Sequence, residues 1–176
     1  MSGKSNIVLT GFMAAGKTEI SKAIAQNSRY KLIDTDDMIV RSAGMSINEI
    51  FAKYGEEEFR RIEHECICKA AKMSGMVIAT GGGVVLKKEN IEELRKKGKI
   101  FNLAPDFHVI EERLAAAAAT RPLLQNQDIA AVKKRFEDRL PYYADCDYKI
   151  HVISGRSPKS YAMEIISLME QDQETM

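Results

Sequence analysis

A glycine-rich turn near the start of the chain constrains its fold more than any other feature. The segment GFMAAGKT, residues 11–18, follows the apolar run NIVLT and precedes the helix-like SKAIAQ. The pattern Gly-x-x-x-x-Gly-Lys-Thr between a strand and a helix is the signature of a phosphate-binding loop. In such a loop backbone N–H groups and a helix N-terminus face the phosphates. We therefore predict a nucleotide site in which Lys17 contacts the β- and γ-phosphates and Thr18 binds magnesium.

Short β-rich runs alternate with longer stretches of helical period along the rest of the chain. After NIVLT they are KLID from Lys31, MVIAT from Met76, KIFNLA from Lys99 and YKIHVI from Tyr148. This alternation predicts an α/β fold with a five-stranded parallel sheet between layers of helices. The 176 residues suit a single domain. The polar tail after Met169 is expected to fray.

Composition and charge indicate which classes of binding partner are not expected for this chain. Lys and Arg number 26 and Asp and Glu number 25, so no overall field favours nucleic acid or an anionic membrane. The longest apolar runs are too short to span a bilayer. The three cysteines form no Cys-x-x-Cys pair, and no signal peptide is recognisable. We expect a cytoplasmic protein with reduced thiols that binds neither nucleic acid nor a membrane.

The acidic segment DTDD follows the second predicted strand. Asp34 and Asp36 would emerge at the carboxyl end of that strand, which is the ligand-binding edge of an open α/β sheet. Asp34 can then lie near magnesium and Asp36 near a hydroxyl that attacks phosphorus. The alternative is that Thr35, Asp36 or Asp37 merely caps the next helix. DTDD alone supports both interpretations about equally, and its position beside the phosphate loop favours chemistry.

Three consecutive glycines follow the third predicted strand, at the same edge of the sheet as Lys17 and Asp36. Gly81, Gly82 and Gly83 permit close approach of the backbone to a ligand. The alternative is a flexible turn without a binding role, because runs of glycine are common in turns. The shared edge favours a site.

Arginines occur in two further settings. Arg60 and Arg61 lie about 100° apart on a predicted helix, so only one of them can readily face a cleft. Arg139 lies near the end of a helical run that Pro141 is expected to interrupt. Each arginine taken alone is more typical of an exposed surface charge than of a binding site.

Together these segments resemble the shikimate kinase family, which are small phosphate-loop proteins of the nucleoside-monophosphate-kinase-like group. The likeness runs through most of the chain, in GFMAAGKT, DTDD, SINEIFAKYGEEEFRRIE, VIATGGGVV, TRPLL and RLPYY. The first two are shared with related kinases, whereas GEEEFRRIE with TGGG and RPLL is much more specific. The resemblance implies a three-layer α/β/α fold and ATP-dependent phosphorylation of the 3-hydroxyl of shikimate. The products would be shikimate 3-phosphate and ADP, in aromatic amino acid biosynthesis.

The resemblance also assigns site residues. It implies that ATP is bound by Gly11, Ala14, Ala15, Gly16, Lys17, Thr18, Arg121 and Arg156. It implies that magnesium is bound by Thr18 and Asp34. The residues implied to hold shikimate are Asp36, Phe51, Phe59, Arg60, Gly81, Gly82, Gly83 and Arg139. The residues implied to be catalytic are Lys17, Asp36 and Arg121, the last being a lid arginine that reaches the transferred phosphate.

The same resemblance implies one kinase domain over residues 1–176 that acts as a monomer. A helical segment at about 35–62 would bind the substrate, and a segment at about 113–128 would form a lid. The chain departs from the family in RLAAAAATRPLL, where the family carries polar residues and an arginine associated with adenine. The run Ala115–Ala119 favours helix and offers no side-chain hydrogen bonds, so adenine contacts are not expected from it.

Two other functions remain open on the sequence. One is a kinase of another small polyol acid such as gluconate, which would also need a phosphate loop and a clamp for a carboxylate. The other is a nucleotide-binding regulatory protein whose lid no longer closes productively, an alternative that the alanine run keeps open. Turnover of a panel of acceptors distinguishes the three.

Overall fold

The computed structural model describes residues 5–120 and 128–174. Its centre is one sheet of five parallel strands in the order β2-β3-β1-β4-β5. The strands are β1 (Asn6–Thr10), β2 (Lys31–Asp34), β3 (Met76–Ala79), β4 (Gly98–Pro105) and β5 (Tyr148–Val152). The fold class and all five strand positions predicted from the sequence are confirmed.

Helices connect the strands and cover both faces of the sheet. They are α1 (Lys17–Gln26), α2 (Thr35–Ala43), α3 (Ile47–Lys72), α4 (Lys88–Arg95), α5 (Phe107–Thr120), α6 (Ile129–Tyr143) and α7 (Pro158–Glu174). A short 3₁₀ helix, Val84–Leu86, follows the triple glycine. Parallel strands require such crossover connections, and the carboxyl ends of the strands then meet at one edge of the sheet.

The buried side chains of β1 divide between two cores. Ile7 and Leu9 pack in the core that α1 and α7 cover, whereas Val8 packs in the core that α3, α4 and α6 cover. This division follows from the alternation of side chains along a strand. Every residue of β1 is buried, as expected for a central strand of a sheet covered on both faces.

The helix that carries the GEEEFRRIE segment begins at a capping box. The Ser46 hydroxyl accepts a hydrogen bond from the Glu49 N–H at 3.2 Å, and the Glu49 carboxylate accepts one from the Ser46 N–H at 2.7 Å. The sequence predicts this start. The sequence also predicts that Gly55 ends this helix, and that prediction is wrong: Gly55 leaves the helical conformation at φ 81°, but α3 resumes directly afterwards and continues to Lys72.

Two expectations about helix ends are wrong. Helix α6 continues through Pro141 to Tyr143 instead of being interrupted there. Helix α7 continues to Glu174 instead of fraying after Met169. Asp172 pairs with Lys99 of β4 at 3.2 Å, and this contact ties the last turns of α7 to the sheet. Within residues 5–120 and 128–174 no helix is long and apolar enough to cross a membrane.

Candidate active site

The phosphate loop is a strained turn between β1 and α1. Gly11 has φ 149°, and a Cβ there would lie 2.8 Å from the carbonyl oxygen of Leu103. Gly16 has φ 102°, and Ala14 adopts a left-handed conformation at φ 58°, which is uncommon for a residue with a side chain. Ala15 is buried and closes the turn through its N–H, which donates to the Phe12 carbonyl at 3.2 Å. Helix α1 therefore begins with its N-terminus at the loop.

The ammonium of Lys17 folds back over this loop. Its Nζ donates hydrogen bonds to the carbonyl oxygens of Gly11 at 2.5 Å and Phe12 at 2.9 Å. Burial lowers the pKa of Lys17 to about 8. The negative charges of Asp36 and Asp34 raise the pKa and so oppose part of this shift. A cation that is costly to bury, and whose hydrogen bonds among the described residues go to backbone carbonyls, is suited to an anionic ligand.

We expect nucleotide binding above about pH 8 to take up a proton. In the free protein at about pH 9 the Lys17 amine is largely neutral, because its pKa is about 8. Phosphate charge beside the amine raises that pKa and recruits up to about one proton for each nucleotide bound. Titration calorimetry with ADP, in buffers of different ionisation enthalpy, measures the uptake. Wild-type uptake equal to that of Lys17→Met would contradict the expectation.

A cavity of about 430 Å³ opens beside the loop. Its lining includes Gly16, Thr18, Arg113 and Arg156, and Thr18 is exposed at the start of α1. Arg156 is fixed by Glu164 at 2.6 Å, and its guanidinium lies 4.1 Å from the ring centre of Tyr161. The volume lies within the range of ligand pockets, and two planar guanidinium groups can stack on a flat base.

Arg113 is a site residue that the sequence analysis missed. Its Nη1 donates to the carbonyl oxygen of Ala14 in the phosphate loop at 2.8 Å. It lies just before the alanine run, which is helical as part of α5. The cavity lining thus includes an arginine from α5 but none of the alanines of the run, and the expectation that those alanines give adenine no contact stays a prediction. An arginine two residues before the alanines was the available signal.

The two carboxylates of DTDD have different surroundings. Asp34 caps α2, because its Oδ1 accepts hydrogen bonds from the N–H groups of Asp36 at 2.9 Å and Asp37 at 3.4 Å. The alternative interpretation named Thr35, Asp36 or Asp37 as the cap of this helix. The cap is Asp34 instead. The pKa of Asp36 is raised, by burial first and then by the charge of Asp34. Capping therefore uses Asp34 and leaves the side chain of Asp36 available.

The triple glycine brings the backbone against three charged side chains, one at each position. A Cβ on Gly81 would lie 2.8 Å from Asp36 Oδ1, and one on Gly82 would lie 3.7 Å from the Arg139 guanidinium. A Cβ on Gly83 would clash with the Arg60 guanidinium. The three side chains come from α2, α6 and α3 and meet on one turn at the carboxyl end of β3. A side chain at position 81 or 83 would push the Asp36 carboxylate or the Arg60 guanidinium off the turn, so these glycines let the two charged groups lie against the backbone.

A buried glutamate holds Arg60 at this turn. Arg60 Nη1 donates to Glu63 Oε1 at 2.7 Å, and Glu63 is 1% exposed. Burial raises the pKa of Glu63, and the Arg60 contact opposes the shift. Arg61 instead points outward and pairs with Glu58 at 2.6 Å and with Glu65. Of the two arginines, Arg60 therefore faces the cleft.

Two phenylalanines lie on the same helix as Arg60. The rings of Phe51 and Phe59 have their centres 4.6 Å apart. Phe59 is buried, and the Arg60 guanidinium lies 5.1 Å from the centre of its ring. Phe51 is 37% exposed. Phe59 thus supports Arg60 from below, and Phe51 presents an apolar surface.

Comparison with known proteins shows the family of this chain. A sequence model of the family described as shikimate kinase matches residues 13–170. The chain belongs to the shikimate kinase family. A shikimate kinase of Caldicellulosiruptor bescii is 42% identical over 164 residues, which is 93% of this chain and 94% of that protein. A shikimate kinase of Geobacter sulfurreducens is 40% identical over 169 residues, 96% of this chain and 92% of that protein.

Solved structures of shikimate kinases share the fold. One from Acinetobacter baumannii, in complex with shikimate, has a TM-score of 0.85 at 29% identity and covers 97% of this chain and 96% of its own. One from Bacteroides thetaiotaomicron has a TM-score of 0.85 at 30% identity and covers 94% and 98%. This member of the shikimate kinase family therefore has the predicted phosphate-loop fold of three layers.

The structure brings most residues predicted for this shikimate kinase family site to one edge of the sheet. The loop residues, Asp34, Asp36, the triple glycine, Arg60 and Arg139 meet there, and Arg156 lies across the cavity. Arg121 lies outside the described residues. Glu63 was missed like Arg113, because its place among the charges of EEEFRRIEHE gave no sign that it is buried. The chemical role of each residue stays a prediction.

Proposed function

We propose that this chain transfers the γ-phosphoryl group of ATP to the 3-hydroxyl of shikimate, which gives shikimate 3-phosphate and ADP. Membership of the shikimate kinase family supports ATP-dependent phosphorylation of shikimate. The observation that carries the proposal for this chain is the triple glycine turn, on which a carboxylate and two guanidinium groups meet beside the phosphate loop. A hydroxy-acid substrate needs cations that bind its carboxylate and a hydrogen-bond acceptor for its reacting hydroxyl. The two guanidinium groups and the protein carboxylate provide them.

The nucleotide end of the site fits ATP. The loop offers backbone N–H groups and the N-terminus of α1 to the phosphates, and Lys17 would leave the carbonyls of Gly11 and Phe12 to bind them. The base would lie in the cavity between Arg113 and Arg156. Magnesium, when bound, would neutralise charge on the transferring phosphoryl group. Thr18 and Asp34 would hold it, since Asp34 uses only Oδ1 to cap α2.

The acceptor end would hold shikimate by its carboxylate. Arg60 and Arg139 each present a planar guanidinium, which can bind a carboxylate through two parallel hydrogen bonds. Glu63 fixes the orientation of Arg60, and Phe59 supports it. Phe51 and Phe59 would contact the ring. With the carboxylate held in this way, Asp36 would accept the hydrogen bond of the 3-hydroxyl.

Phosphoryl transfer has a loose transition state, so positioning and neutralisation of charge contribute more than strong base catalysis. Asp36 would first orient the hydroxyl towards phosphorus and accept its proton late. Lys17 lies close enough to Asp36 for each charge to affect the pKa of the other. The attacking oxygen and the transferred phosphoryl group would therefore lie between these two side chains.

We further propose one kinase domain over residues 1–176, acting as a cytoplasmic monomer without nucleic-acid or membrane partners. Residues of about 35–62 would form the substrate-binding segment, which agrees with the positions of Asp36, Phe59 and Arg60. Residues of about 113–128 would form a lid that excludes water and brings Arg121 to the transferred phosphate. Arg113, at the first turn of this segment, contacts the phosphate loop already.

The test is release of ADP from ATP and Mg²⁺, measured with shikimate, with gluconate and without an acceptor. We expect ADP formation that depends on shikimate and on the metal. ADP release with gluconate and none with shikimate would overturn the assignment of shikimate as the substrate. ATP binding without turnover of either acceptor would instead favour a regulatory nucleotide-binding protein.

Arg60→Lys is expected to raise KM for shikimate about tenfold, with KM for ATP nearly unchanged. A lysine keeps the charge but loses the bidentate fork that matches a carboxylate. The matched control is Arg61→Lys on the same helix, whose exposed ion pairs contribute little. Steady-state kinetics of both variants decide the point. A higher KM for shikimate in Arg61→Lys alone would mean that the other face of α3 binds the acceptor.

A further inference from the structure

A tyrosine on α6 binds the backbone of the triple glycine turn. The hydroxyl of Tyr143 donates a hydrogen bond to the Gly82 carbonyl oxygen at 2.6 Å. Tyr143 is 4% exposed, and it lies one helical turn after Arg139, so both face the turn from the same helix. Residues 61 positions apart in sequence are thereby joined at the acceptor site.

This hydrogen bond fixes the direction of the next N–H group. A peptide unit is planar and trans, so the N–H of Gly83 points away from the carbonyl oxygen that Tyr143 holds. Among the described residues the N–H groups of Gly82 and Gly83 donate to no protein acceptor, whereas that of Gly81 donates to Thr35. Gly83 is buried and lies against the guanidinium of Arg60, and its oriented N–H has no protein acceptor among the described residues.

We propose that Tyr143 is a positioning residue that orients the Gly82–Gly83 peptide, so that its N–H binds the substrate carboxylate together with Arg60 and Arg139. The inference rests on the proposed function, because the carboxylate is that of shikimate. A buried N–H beside two guanidinium groups forms a concave donor site for an anion. Without the tyrosine hydroxyl, rotation of this glycine peptide costs little, since glycine has no Cβ to resist it.

The tyrosine stays protonated while it does this. Burial raises the pKa of Tyr143 to about 12, although the neighbouring charge of Arg139 opposes the shift. The hydroxyl is therefore a donor throughout the range in which a kinase is assayed. The adjacent Tyr142 is 48% exposed, and among the described residues its hydroxyl makes no contact with the turn. The pair thus provides a variant and a matched control.

Tyr143→Phe is expected to raise KM for shikimate about five- to tenfold, the range for loss of one buried hydrogen bond. KM for ATP should change less than twofold, and Tyr142→Phe should behave as the wild type. The methyl ester of shikimate, which lacks the carboxylate charge, separates positioning from general loosening. The variant should lower kcat/KM for the acid about tenfold and for the ester about twofold or less. An equal loss for acid and ester would overturn the proposal.

A second measurement uses the wild-type protein labelled with ¹⁵N-glycine. Shikimate should move the Gly83 amide proton resonance downfield as its N–H gains an acceptor, and the ester should move it less. An unmoved resonance would overturn the role of the peptide. If the wild type turns over shikimate and Tyr143→Phe matches it, only this inference fails. If the wild type turns over no shikimate, the proposed function fails and the inference fails with it.

Discussion

Lys17→Ala is expected to lower kcat by about 10²- to 10³-fold while the protein remains folded. The ammonium would neutralise charge that develops on the transferred phosphoryl group, and loss of one such preorganised donor has an effect of this size. The fold should tolerate the change, because burial of the charge already disfavours the protonated lysine, as its pKa of about 8 shows. The melting temperature of the variant without nucleotide should therefore not fall.

Lys22→Ala is the matched control for this variant. Lys22 is on the same helix, about one turn beyond the end of the loop, and makes an exposed pair with Glu19 at 3.3 Å. It should keep its activity. Single-turnover measurement of phosphoryl transfer separates the chemical step from release of product. If Lys17→Ala keeps kcat within tenfold of the wild type, the loop lysine binds ATP without acting in the transfer.

Most of the fold could be predicted because its signals are local. Each strand is a short β-rich run in the sequence, and the phosphate-loop pattern fixes a strand before Gly11 and a helix from Lys17. Alternation with helical segments then leaves a parallel sheet as the simplest arrangement. The error after Met169 arose where a tertiary contact, that of Asp172 with Lys99, ties down a segment with a polar sequence, whereas α6 continues through Pro141 against the local preference of proline.

The position of the site could also be predicted from the sequence, but the role of each residue within it could not. In a parallel sheet the carboxyl ends of the strands meet at one edge, whatever the conformation of the loops. Lys17, Asp34, Asp36 and the triple glycine therefore lie at that edge. The sequence could not decide whether DTDD caps a helix or serves chemistry. The structure shows that Asp34 does cap a helix, and that Asp36 lies against Gly81. A single acidic segment can do both.

The missed residues act through contacts that have no local pattern. Arg113 reaches Ala14 across 99 positions, and Tyr143 reaches Gly82 across 61. Glu63 is close to Arg60 in sequence, yet its burial depends on the packing of α3 against the rest of the fold. A pattern of residue types predicts which face of a helix is apolar, but not which charged residue on it meets a partner from elsewhere.

Asp36→Asn is expected to lower kcat by about 10²- to 10⁴-fold, the usual contribution of a group that orients a hydroxyl and takes its proton. Asparagine keeps the shape but accepts no proton. The affinity for ADP should change little, because the proposed partner of Asp36 is the acceptor hydroxyl. The raised pKa of Asp36 adds a second expectation. Wild-type kcat should fall with acid at a higher pH than an ordinary aspartate would give, and this limb should vanish in the variant.

Asp37→Asn is the control for this substitution, since Asp37 is the adjacent exposed carboxylate in the first turn of α2. It changes the net charge by the same amount and should leave kcat nearly unchanged. A loss of ADP affinity in Asp36→Asn, measured by calorimetry at normal kcat, would place Asp36 in the nucleotide site instead. Equal losses of kcat in both variants would indicate that activity depends on the net charge of the segment and not on the Asp36 carboxylate beside Gly81. Only a loss confined to kcat of Asp36→Asn agrees with a group that acts on the attacking oxygen.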